Sequence, residues 1–133
     1  MKRYICAMGV AKKALEGQLI SISGELIEHL VKLYMFPDTE YTEHWRAEVY
    51  NFLHKSPKLK GTNKPPKAEF IYSCISGYID EIDEIMQVIA TDCTECYQTR
   101  FDSYEAEQLI NDYLLWLSQR LSENAMLSSS EIF

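Results

Sequence analysis

Residues 15–33 read LEGQLISISGELIEHLVKL, and this stretch decides the fold. Leu15, Leu19, Ile22, Leu26, Leu30 and Leu33 are separated by steps of four, three, four, four and three, which places them on one stripe of a helix and excludes a strand. Ile5 and Met8 extend the same register backwards, so the helix is expected to begin near the N-terminus. A stripe of this length is a docking face, and it requires other helices to cover it.

The chain has 133 residues, 47% of them hydrophobic, with nine Tyr and two Trp against five Gly and four Pro. This is a globular composition, and the length suits one domain, expected over residues 1–122. The remaining stretch, ENAMLSSSEIF over 123–133, reads as a frayed or disordered tail, with the alternative that Ile132 and Phe133 dock. The opening MKRYICAMGVAKK has a basic pair and a short apolar run, but no small-x-small cleavage pattern, so it reads as the first turns of a helix. No apolar run reaches the eighteen or so residues of a membrane span, and a cytoplasmic protein with reduced thiols is expected.

Charge is spread unevenly. Residues 54–67, HKSPKLKGTNKPPK, hold five of the thirteen Lys and Arg and no acid, so the rest of the chain sets eight basic groups against all twenty acids. An acidic body with one basic loop repels nucleic acid and favours a partner with a basic surface.

The first helix is expected to stop before Pro37, because a residue preceding proline is pushed out of the helical region. Asp38 or Thr39 can cap a second helix whose buried face is Tyr41, Trp45, Val49 and Phe52 or Leu53, ending at Ser56-Pro57. After the Lys-rich loop, Ala68, Ile71, Ile75, Tyr78, Ile82, Ile85 and Ile89 predict a third helix, running either to about Asp92 or on through Cys93 and Cys96. Asp102 with Glu105 three residues on has the form of a capping box. A last helix then reaches about Ser122, with Leu109, Ile110, Tyr113, Leu114, Trp116, Leu117 and Leu121 on a broad face.

Candidate sites each have an ordinary structural reading beside the functional one. Cys93 and Cys96 have the spacing of half a zinc site, but a structural zinc needs four ligands and no second pair exists, so core or helix-end thiols are the simpler reading. Glu25, Glu28 and His29 share a helix face and could hold a metal, with Lys32 beside Glu28 as a plain salt-bridge partner. A similar run, Glu40, Glu43 and His44, follows fifteen residues later. Asp80, Glu81, Asp83 and Glu84 lie away from the isoleucine stripe, as a solvated face, a patch for a cationic partner, or a magnesium site of the kind found in all-helical nucleotide hydrolases. Arg46 and His54 are the pair that helical ribonucleases carry on one helix, at a longer separation than in those enzymes. No nucleophile motif and no phosphate loop is present in the sequence.

From His29 to Lys60 the chain runs His-Leu-Val-Lys-Leu, then Pro37, Trp45-Arg46, and Ser56-Pro57-Lys58-Leu59-Lys60. This stretch resembles the central part of the all-helical bacterial family known as domain of unknown function 29. The resemblance implies a helical fold and brings no function.

The sequence therefore predicts an all-α antiparallel bundle of four main helices with one longer basic loop. The function expected is a non-enzymatic protein-interaction module, an acidic inhibitor, antitoxin or immunity protein covering a basic target. Its contact surface would be Asp80, Glu81, Asp83 and Glu84 with the Tyr104, Glu105, Glu107 and Asp112 flank of the last helix. No cofactor is expected. The alternatives are a small helical metal-dependent hydrolase using Glu25, Glu28, His29, Asp80 and Glu84, and a homodimer burying the broad face of the last helix.

Overall fold

The apolar stripes read above fall on helices in the computed structural model, the third of them divided by a break, and the structure describes residues 2–37, 39–54, 66–92, 100–123 and 131–133, with α1 side chains at Lys13 and from Leu15 onward. Among the described residues the chain is all-helical, without strands. The helices are α1 (Lys2–Met35), α2 (Thr42–His54), α3 (Ala68–Ile75), α4 (Ile82–Asp92) and α5 (Ser103–Ser122), with one turn of 3-10 helix at Ile79–Glu81.

The leucine stripe of α1 is buried at Leu15, Leu19, Leu26, Leu30 and Leu33, and Ile22 packs at its edge. Over the last turns burial widens beyond the stripe, taking in Ile27, Val31, Tyr34, Met35 and Phe36. The cause is that α2, α3, α4 and α5 all pack on α1, which leaves only the narrow strip of Glu25, Glu28 and Lys32 in contact with water. Phe36 donates the last helical bond to the Lys32 carbonyl at 2.9 Å before Pro37 stops the helix. The carbonyls left over are met from far along the chain. The Arg100 amide donates to the Met35 carbonyl and its Nε to the Tyr34 carbonyl, each at 3.0 Å, while its guanidinium lies 4.6 Å from the Tyr34 ring centre.

Thr39 and Thr42 build the entry to α2. The Tyr41 amide donates to Thr39 Oγ1 at 3.2 Å, and Thr42 Oγ1 donates to the Phe36 carbonyl, tying the turn back to the end of α1. Val49 and Leu53 are buried as expected; Tyr41 is exposed and instead stacks on Trp45.

The third helical segment departs from its expected continuity. The isoleucine register predicts one helix through residue 89, but the helix breaks at Ser76–Gly77–Tyr78 and resumes through the 3-10 turn. Gly77 is a poor helix former, and the break turns the second half so that Ile82, Met86 and Ile89 reach the core while Tyr78 is left exposed against Gly24 of α1. Asp102 caps α5 as its spacing implies, accepting from the Glu105 amide at 3.0 Å.

Of the stretch from 123, expected to be frayed, residues 131–133 are seated on the bundle because Ile132 enters the core and Phe133 meets the Tyr113 ring edge-on. The basic stretch 55–65, Cys93 and Cys96, and residues 124–130 lie outside the described residues.

Candidate functional site

A polar cluster of His29, His44 and Glu48 joins α1 to α2. His29 is 8% exposed, and its Nδ1 donates to the Glu25 carbonyl at 2.7 Å while Nε2 donates to the Glu48 carboxylate across the helix interface. His44, one turn before Glu48 on α2, donates from Nε2 to the other carboxylate oxygen at 2.7 Å. Each ring nitrogen of His29 thus faces an oxygen, one of the backbone of its own helix and one of a carboxylate on the next. The hydrogen bond from His29 is the main cause that holds the Glu48 carboxyl below its usual value; burial pushes the other way, and the charges of His29, His44 and Lys32 add to the lowering. Phe52 packs edge-on against His29 with ring centres 5.1 Å apart and closes one side of the cluster.

Through Glu48 the cluster clamps α1 to α2. The clamp was half legible in sequence. The repeated Glu-x-x-Glu-His pattern draws attention to His29 and His44, but what unites them is Glu48, four residues after His44, and a partner across a helix interface leaves no spacing signal.

The expected metal residues do not converge. Glu25 contributes its backbone carbonyl, Glu28 pairs with Lys32 at 3.1 Å, and both of these acids are exposed. Among the described residues no group of three His, Cys, Asp or Glu side chains is placed to hold a metal ion. Asp80 and Glu84 are exposed on another part of the fold. The Arg46 and His54 pair is also divided. Arg46 donates to the carbonyls of Ile132 and Phe133 and pairs with Glu43 at 2.7 Å, while His54 lies against the Tyr50 ring.

The expected contact residues form a different picture. Asp80, Glu81, Asp83, Glu84, Tyr104, Glu105, Glu107 and Asp112 are all exposed, Tyr104 at 73%. The first four lie on the 3-10 turn and the first turn of α4, where negative charge also suits the helix dipole. The others lie on α5, which packs against both α4 and the 3-10 turn. Between residues 68 and 92 there are six acids and no Lys or Arg.

Two tyrosines are inward. The Tyr34 hydroxyl is buried without a hydrogen-bond partner among the described residues, and burial first, then the nearby Glu105 carboxylate, raises its pKa. Burial pushes Tyr113 up to about 12. Cys74 is a buried free thiol, its pKa raised by burial.

No family model matches the chain, and neither a search of curated proteins nor one of solved structures returns a significant match. No helix among the described residues is long and apolar enough to cross a membrane.

Proposed function

We propose that this protein is a non-enzymatic interaction module of the cytoplasm, an inhibitor, antitoxin or immunity protein whose acidic flank covers a basic surface on a protein target. The observation that carries the reading is the exposure of all eight contact residues on elements that pack against one another, beside a stretch of 25 residues without a single cation. Seven exposed carboxylates on these elements make a field that speeds encounter with a cationic partner, and the exposed Tyr104 ring offers an aromatic anchor.

Two finer points belong to the same proposal. The bundle is read as antiparallel, which the nested contacts of Phe36 with Trp45 and of His29 with Phe52 support for α1 and α2. The resemblance of residues 29–60 to domain of unknown function 29 then concerns this helix pair, where His29, Trp45 and Arg46 all have structural partners.

Native mass spectrometry of the protein taken from its host at low salt tests the reading. The expected result is a stoichiometric protein partner of basic pI that dissociates as salt rises. The variant carrying Asp80→Asn, Glu81→Gln, Asp83→Asn and Glu84→Gln is expected to lose at least tenfold in affinity for it. A partner indifferent to both salt and neutralisation, or a bound metal ion without any protein, overturns the proposal.

A further inference from the structure

We draw no further inference here: the strongest candidate, the exposed apolar surface patch of α5 at Leu109, Leu115 and Trp116, is interrupted by the exposed carboxylates of Glu105 and Asp112, and nothing in the structure shows what covers it.

Discussion

Glu48 is the residue on which two histidines depend. Replacing it by Gln leaves one neutral acceptor where an ionised carboxylate took bonds from both rings, and because the site is partly wet the expected cost at pH 6 is about 1 kcal/mol. The pH dependence follows from the direction of its shift. A carboxyl whose folded value lies below its unfolded value contributes stability that is fully present above the ordinary value of 4.5 and is lost as pH falls through the lower, folded value. Urea unfolding of the wild type and Glu48→Gln should therefore give a gap that closes as the pH falls below 4.5. Much of the residue-scale picture was hidden in the sequence for one reason. His29 and Glu48 are 19 positions apart, and Arg100 reaches back to Tyr34 across 66, and neither distance has a periodic signature. Local pairs such as Glu28 with Lys32 and Asp102 with the Glu105 amide were readable because helical geometry fixes their spacing.

At the scale of elements, the ends of helices were the most legible features. Pro37 ends α1 and Asp102 begins α5, each by a local rule that tertiary contacts do not override. Asp102→Ala should then cost about 1 kcal/mol, read as a lowered urea midpoint with unchanged slope. The α3–α4 boundary shows where periodicity misleads. Isoleucines in a three-four pattern can cross a helix break unchanged if the turn between the halves keeps the count, and Ser76 to Tyr78 did so here. The broad face of α5 was read correctly as apolar, while its division between core residues such as Leu114 and exposed ones such as Trp116 depended on which neighbours arrive and where they stop.

For the whole molecule, α1 is the common support. Leu26 and Ile82 are 0% and 1% exposed, and an aspartate at either position would be an unpaired charge in the one shared core. Leu26→Asp and Ile82→Asp should each abolish the cooperative thermal transition, seen by circular dichroism as loss of helix at 25 °C. The same central position sets an order for the chain as it is made. The stripe of α1 is complete by Met35, but its last cover, α5, ends at Ser122, 87 residues later. At ribosomal speeds of about 5–20 residues per second, that apolar post stands incompletely covered for roughly 4–17 seconds of synthesis. The exposed interval is thus written into the order of the helices, and an earlier position for α5 in the chain would shorten it.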